Sequence, residues 1–125
     1  MRLVVVALTI SALLVTALSF AQTPVLKERT TEIPKVAEHE ARMVVAEIPP
    51  QTEGRWHTHP APVFIYVIEG SLVYEIEGRE PREYKAGMGF MEPSKVKNRV
   101  VNKSATEKVR VVAFQVSDPN TAFME

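Results

Sequence analysis

The apolar segments of this chain are short and closely punctuated by turn residues. Beyond Ala21 no window keeps a sustained helical period, and the apolar runs are rich in Val, Ile, Phe and Tyr and bounded by Pro, Gly and Asn. Such runs are typical of β-strands, and regular turns between many strands favour a sandwich or barrel over alternating strands and helices. The sequence therefore predicts an all-β fold, with strands at 42–48, 63–68, 71–77, 87–91, 98–101 and 108–116.

Weaker signals extend this pattern. Residues 27–33 and 38–42 are expected to lengthen the sheet at its front, and the alternating charges of residues 80–85 predict an exposed strand pair. Glu69 and Gly70 leave almost no loop between two strong strands, which predicts a tight hairpin. The segment from Gly78 to Pro81 marks another turn.

Composition limits the class of protein. The chain has 125 residues, enough for one domain. Lys plus Arg and Asp plus Glu each number 15, so the formal net charge of zero argues against nucleic-acid binding. The absence of cysteine excludes a disulfide scaffold, a Cys-ligated zinc site, an iron–sulfur cluster and a thiol nucleophile.

The N-terminal segment has the pattern of a secretory signal peptide. Arg2 precedes an uncharged, mostly apolar run at 3–20, and Ser19 and Ala21 are small residues where a signal peptidase reads. The alternative is an uncleaved membrane anchor, for which the run has about the minimum length. Either way we expect a periplasmic or secreted domain. The predicted organisation is a signal peptide at 1–21, an arm or edge strand at 22–40, a barrel at 41–118 and a tail at 119–125.

Two histidines, His57 and His59, are the strongest chemical signal. Residues two apart on an extended chain point the same way, so both imidazoles can converge on one point. Neutral imidazole is a good ligand for zinc, copper, iron and nickel. The pattern by itself also fits a polar pair beside a turn, and both interpretations stay open at this point.

The residues around the two histidines resemble the cupin family. His57, His59 and Gly70 stand where the first cupin motif has its His-x-His pair and its glycine, and the segment ends in Tyr-Val-Ile-Glu-Gly. The residues that match the second motif are Gly87, Pro93 and Asn102. The resemblance covers about residues 42–116. It implies a cupin-type double-stranded antiparallel β-barrel, jelly-roll-like in form, whose family metal site has three His and one Glu.

Several family positions carry other residues here. The family Glu falls at Val63, the third His at Asn98, and two motif glycines at Gln51 and Lys95. The predicted metal ligands are therefore His57 and His59, with Asn98 and Gln115 as possible additions. Other replacement ligands to consider, each also readable as an ordinary polar surface residue, are His39, Tyr66 and Glu75. The residues predicted to line a ligand pocket are Trp56, Tyr66, Phe90 and Val63.

Two functions compete on this sequence. In the first, a secreted cupin-domain protein binds a divalent metal (Fe, Mn, Zn or Ni) through the His pair and a small organic ligand in the barrel mouth, as an oxygenase or isomerase of the cupin type would. In the second, a non-enzymatic barrel keeps a vestigial metal site and acts as a ligand-binding or structural module. The expected partners are a small-molecule ligand and a second copy in a homodimer paired through edge strands. No nucleic acid is expected, and a membrane only if the N-terminal segment stays uncleaved.

Overall fold

Two four-stranded antiparallel sheets face each other. The computed structural model of the protein describes residues 21–125. Sheet one has the strand order β1-β8-β3-β6, and sheet two has the order β2-β7-β4-β5. The strands are β1 (Glu40–Ile48), β2 (Thr52–Glu53), β3 (Val63–Glu69), β4 (Ser71–Ile76), β5 (Arg82–Lys85), β6 (Gly89–Glu92), β7 (Asn98–Asn102) and β8 (Val109–Ser117). This arrangement confirms the predicted all-β fold.

The six predicted main strands are all present, with ends within two residues of the prediction. The segment of alternating charge contains β5, and the turn after Gly78 connects β4 to β5 in a hairpin. The predicted signal peptide and its alternative, a membrane anchor, fall outside the described residues apart from Ala21. Within residues 21–125 there is no helix long and apolar enough to span a membrane.

The predicted strand at 27–33 is wrong. Residues 21–39 have no regular secondary structure. Charged residues occupy most of 27–33 and leave no apolar face to bury, so this arm is held by isolated contacts. One of them is the hydrogen bond that the backbone N–H of Ser94 donates to the carboxylate of Glu32, at 2.9 Å.

The predicted hairpin at Glu69 and Gly70 is also wrong. Because β3 lies in sheet one and β4 in sheet two, Gly70 turns the chain through a corner between the sheets. Gly70 has a φ of +82°, and a Cβ added there would lie 2.6 Å from the carbonyl oxygen of Lys108. Glycine is therefore required at this corner by both conformation and space. A corner and a hairpin share the same sequence pattern of two strands joined by one glycine.

The core lies between the sheets and follows the alternation of the strands. On β3, Val63, Ile65 and Val67 point inward and are at most 8% exposed, whereas Tyr66 points outward and is 37% exposed. Burial of each aliphatic side chain contributes roughly 1.5–3 kcal/mol. The core is completed by Leu72, Tyr74, Tyr84, Phe90, Val109, Val111 and Ala113.

One row across sheet one carries polar residues into this interior. Val63 lies opposite Glu92 on β6 and opposite Gln115 on β8. Residues opposed on antiparallel strands share a face of the sheet. Glu92 and Gln115 therefore flank Val63 on the inner face, where they are 4% and 0% exposed.

Candidate metal centre

His57 and His59 meet beside the start of β7. The backbone N–H of His57 donates to the carbonyl of Asn98 at 3.0 Å, and the N–H of Asn98 donates back at 2.9 Å. This isolated bridge keeps the chain extended, so the two imidazoles project to the same side. Their Nε2 atoms lie 3.1 Å apart. The convergence expected from the His-x-His spacing is therefore present.

Glu92 joins the two histidines. Its Oε2 lies 2.8 Å from Nε2 of His59, and the ligand atoms of His57, His59 and Glu92 all lie within 4.8 Å of one another. His59 and Glu92 are 2% and 4% exposed, whereas His57 is half-buried. Three ligand atoms of this kind at this separation can bind a single ion, with two His and one carboxylate as protein ligands.

Sequence reasoning missed Glu92, although a signal for it existed. Phe90 is predicted to line a ligand pocket, and residue 92 follows it by two on the same strand, so both side chains point to the same face. A carboxylate at an inward strand position is unusual unless it is paired or coordinates a metal. Applying the inward–outward alternation of the strand from Phe90 to residue 92 identifies Glu92 as an inward-pointing carboxylate.

Backbone carbonyls set the tautomer of both histidines. Nδ1 of His57 lies 2.8 Å from the carbonyl oxygen of Arg55, and Nδ1 of His59 lies 2.7 Å from that of Phe123. A carbonyl oxygen only accepts hydrogen bonds, so each Nδ1 must carry a proton. In the neutral rings both Nε2 atoms are then bare acceptors, and they face each other and the carboxylate of Glu92. Metal-ligating histidines usually have their other ring nitrogen held in this way.

The same contacts govern the charge of His59. Burial acts to lower the pKa of His59, but the hydrogen bonds to Glu92 and to the Phe123 carbonyl, together with the negative charges of Glu92 and Glu125, raise it overall. A cation is therefore favoured where the three ligand atoms meet. A proton on His59 and a metal ion are the two cations that chemistry offers there.

Buried polar atoms without a partner adjoin each member of the group. The amide oxygens of Asn98 and Gln115 and the hydroxyl of Tyr74 have no hydrogen-bond partner in the described part of the chain. The backbone of Asn98 is hydrogen-bonded to that of His57. Nε2 of Gln115 donates to the carbonyl oxygen of Phe123 at 3.2 Å, and the same carbonyl accepts from His59. Both amide orientations are set by carbonyl acceptors, so their oxygens face the interior as free acceptors.

Tyr74 packs against the strand that carries Glu92, the third member. Its ring packs against Phe90 at a centroid distance of 4.8 Å, and Phe90 precedes Glu92 by two residues on β6. Burial, followed by the charge of Glu92, raises the pKa of Tyr74 well above its usual value. The phenol therefore stays protonated and is a hydrogen-bond donor at neutral pH.

The C-terminal residues cover one side of the group. Phe123 packs its ring edge-on against His59 at a centroid distance of 5.4 Å. Thr58 and Glu125 exchange two backbone hydrogen bonds of 3.0 and 2.9 Å. This C-terminal strap, residues 121–125, holds the Phe123 carbonyl against both His59 and Gln115.

The other sequence candidates are not members of the three-residue group. Tyr66 lies on the outer face of β3. The residues on either side of it, Ile65 and Val67, point inward, and side chains alternate along a strand. The half-buried Trp56 packs under the guanidinium of Arg99. The Cζ atom of Arg99 lies 4.8 Å from the centroid of the Trp56 ring. Arg99 also binds the carboxylate of Glu75 at 2.7 Å. His39 is exposed and donates to the carbonyl of Pro34.

Phe90 and Val63, also predicted to line a ligand pocket, are part of the hydrophobic core. Val63 is fully buried, and Phe90 stacks on Tyr84 at a centroid distance of 4.3 Å. Phe90 in addition reaches a cleft at the side of the barrel.

Known structures share this architecture. The DMSP lyase DddQ from Ruegeria pomeroyi DSS-3 is 21% identical with a TM-score of 0.58, over 66% of this chain and 41% of that chain. An RmlC-like cupin from Methanocaldococcus jannaschii is 22% identical with a TM-score of 0.59, over 66% of this chain and 74% of that one. Vicilin from Corylus avellana is 19% identical with a TM-score of 0.60, over 68% and 25%.

These similarities show a common fold. The matched part of this chain spans less than half the length of the lyase and vicilin chains. A comparison with curated protein sequences finds no significant match. A family model described as the cupin domain matches residues 44–114, more than half of the chain. With the strand order and the double-sheet barrel, this match shows that the chain belongs to the cupin family.

Proposed function

We propose that this cupin binds a divalent transition metal through Nε2 of His57, Nε2 of His59 and the carboxylate of Glu92. The observation that supports the proposal is the convergence of three acceptors with no donor between them when both rings are neutral. A cation relieves that arrangement, and buried ionised groups persist when they are paired or bind a metal.

The ligand set favours a site with open positions. Two His and one carboxylate leave coordination positions free, as catalytic rather than structural metal sites do. Bound there, a metal supplies Lewis acidity to an oxygen-bearing organic molecule or reactivity toward oxygen. The protein's own residues hold the ligands: Arg55 and Phe123 fix the ring orientations, and Asn98 and Gln115 offer free amide oxygens to coordinated water or a bound molecule. The proposed function is thus metal-dependent binding and conversion of a small organic molecule.

Metal content tests the proposal directly. Residues 22–125, untagged, would be purified, loaded in turn with Fe²⁺, Mn²⁺, Zn²⁺ and Ni²⁺, and analysed by elemental analysis and calorimetry. We expect about one ion per chain for wild type and a loss of binding in His57→Ala/His59→Ala and in Glu92→Ala. His39→Ala is the matched control, because this histidine is exposed and the one hydrogen bond of its ring, among the described residues, is to the Pro34 carbonyl; the metal content of this variant should equal that of wild type.

A second candidate function rests on the contact between His59 and Glu92. At 2.8 Å and almost fully buried, a protonated His59 and an ionised Glu92 satisfy each other without a metal. The protein would then be a non-enzymatic barrel that binds a small ligand. Wild-type protein that stays metal-free after loading with all four ions would favour this candidate over the first.

The proposal includes export of the protein. The apolar run at 3–20 followed by Ala21 supports cleavage after Ala21 and a periplasmic or secreted location. The mass of the protein in the periplasmic and membrane fractions of an expressing bacterium would test this: a periplasmic protein that begins at Gln22 supports cleavage, and a membrane-bound protein with an intact N-terminus favours the anchor.

The proposal also includes a homodimer. β1 is an edge strand of sheet one, and it exposes Met43, Val44 and Val45 by 72%, 41% and 56%. An open edge with apolar side chains is a template for another strand. The β1 strand of a second copy, running antiparallel, fits this edge by symmetry.

A further inference from the structure

Two buried amide groups beside the metal centre have bonded nitrogens and free oxygens. Nδ2 of Asn98 donates to the carbonyl oxygen of Val96 at 3.0 Å. Nε2 of Gln115 donates to the carbonyl oxygens of Ala61 and Phe123, each at 3.2 Å. A carbonyl oxygen only accepts, so turning either amide over would place two acceptors against each other. The amide oxygens are therefore the free atoms, and neither has a hydrogen-bond partner in the described part of the chain.

The backbone places Asn98 next to His57. The two residues exchange backbone hydrogen bonds of 3.0 and 2.9 Å in an isolated antiparallel bridge. Residues opposed in this way project their side chains to the same side, with Cβ atoms roughly 4.5–5.5 Å apart. The imidazole of His57 belongs to the metal-binding group, so the fully buried amide of Asn98 stands beside that group.

Gln115 approaches the centre from sheet one. It shares the inner face of the sheet with Glu92, because both residues lie opposite Val63. Nε2 of Gln115 and Nδ1 of His59 donate to the same carbonyl oxygen, that of Phe123. The side chain of Gln115 is fully buried, so bulk water does not reach its free oxygen.

The polar atoms around the centre lack donors. Nε2 of each neutral histidine and the carboxylate of Glu92 are acceptors that a metal ion satisfies. The two amide oxygens remain, because an amide oxygen suits hard cations better than transition metals. The hydroxyl of Tyr74 bonds neither of them, since it too has no partner among the described residues. A buried acceptor without a partner is unfavourable, so the missing partners are donors on whatever fills the open positions of the metal.

We infer that the centre selects an uncharged ligand whose metal-binding atom carries hydrogen, and that the oxygens of Asn98 and Gln115 accept hydrogen bonds from that atom. The inference rests on the proposed metal site and names the class of molecule that the site takes. An anion without hydrogen would instead bring its lone pairs against both amide oxygens. Asn98 and Gln115 are ligand-recognition residues in this arrangement and are not metal ligands.

Methoxyamine and azide are suitable probes, because they have the same number of heavy atoms and both bind metals through nitrogen. Methoxyamine is uncharged at neutral pH and keeps two hydrogens on that nitrogen, whereas azide is an anion without hydrogen. The protein would be loaded with whichever of Fe²⁺, Mn²⁺, Zn²⁺ and Ni²⁺ it binds most tightly. Calorimetry would then measure the Kd of each probe for the loaded protein and, separately, the Kd of the ion for the apo protein.

Asn98→Leu and Gln115→Met should each weaken methoxyamine binding about fivefold, the value of one hydrogen bond. Neither variant should weaken azide binding, and the affinity for the ion should stay unchanged. Each variant tests one amide, so one remains informative if circular dichroism shows that the other is unfolded. Gln22→Met makes the same chemical change at an exposed residue of the arm and should match wild type in all three affinities.

Each other result overturns the inference in a recognisable way. Unchanged methoxyamine affinity in both variants shows that the amide oxygens do not contact the ligand. Equal losses for methoxyamine and azide show a structural role only. A loss of affinity for the ion in Asn98→Leu shows that the amide oxygen is a metal ligand. Loaded wild type that binds no methoxyamine removes the ligand class and leaves the metal site intact. Wild type that binds none of the four ions removes the proposed function and this inference together.

Discussion

Val63 and Glu92 are direct cross-strand partners on β3 and β6. Val63 stands where the cupin resemblance places the metal-binding Glu, and Glu92 brings a carboxylate to the two histidines from the neighbouring strand. Opposed side chains on antiparallel strands lie roughly 4.5–5.5 Å apart at Cβ. A carboxylate can therefore change strand and still reach nearly the same point inside the barrel.

Moving the carboxylate from position 92 back to position 63 tests whether the two positions are equivalent. Glu92→Val should raise the Kd for Zn²⁺ by at least about 100-fold, more than the loss of an outer partner of a ligand. The double variant Val63→Glu/Glu92→Val should recover affinity to within about tenfold of wild type, measured by calorimetry. A double variant as weak as Glu92→Val would show that the two positions are not equivalent. Glu75→Gln, which changes a carboxylate bound to Arg99, is the control and should bind Zn²⁺ normally.

The C-terminal strap should matter for metal affinity more than for folding. Deleting residues 123–125 removes the carbonyl that holds His59 in its tautomer, so we expect the Zn²⁺ affinity to fall by about 10–100-fold, as for other partners of metal ligands. Phe123→Ala keeps the carbonyl and removes the ring, and its affinity should stay closer to that of wild type. Equal losses in the two variants would assign the effect to the ring instead. Circular dichroism of the apo proteins would check that the barrel stays folded.

Two positions keep a glycine-like backbone without glycine. Gln51 and Lys95 occupy places where the cupin motifs have glycine, and they have φ values of 51° and 56°. Left-handed conformations cost non-glycine residues roughly 1–2 kcal/mol, which the greater chain entropy of glycine partly offsets. Lys95→Gly should therefore raise the free energy of unfolding by about 0.5–1 kcal/mol in urea titrations, and Gln51→Gly should act alike.

Lys103→Gly is the control for this backbone effect. Lys103 is exposed and does not have a positive φ. The same substitution there should lower stability by up to about 1 kcal/mol, because glycine gains entropy in the unfolded chain. A gain at Lys103 equal to that at Lys95 would contradict the conformational explanation.

The edge of β1 provides a test of the proposed dimer. Val45→Lys places a charge on the exposed edge strand, a change that natural edge strands use against pairing. Light scattering should show a dimer for wild type and a monomer for Val45→Lys, with unchanged Zn²⁺ affinity. Val25→Lys makes the same change at an exposed residue of the arm and should remain dimeric. A monomeric wild type would contradict the dimer.

The strand pattern was accessible from local signals. Short Val- and Ile-rich runs between prolines and glycines identify the main strands because alternation and turn chemistry act over a few residues. The arm at 27–33 and the corner at Gly70 were not accessible in this way. Whether a polar segment pairs as a strand, and whether two strands joined by glycine share a sheet, depends on which distant strands occupy the neighbouring positions.

The sequence by itself determined the barrel and the pair of histidines, since a spacing of two on an extended chain makes both rings point one way. Only the tertiary structure decided what meets them. Glu92 lies 33 positions beyond His59 in the sequence and reaches it because β3 and β6 pair in one register. The Phe123 carbonyl reaches His59 because residues at the far end of the chain fold back over the site. The register between distant strands and the position of the C-terminal strap are set by the packing of the whole core, and no local pattern encodes them.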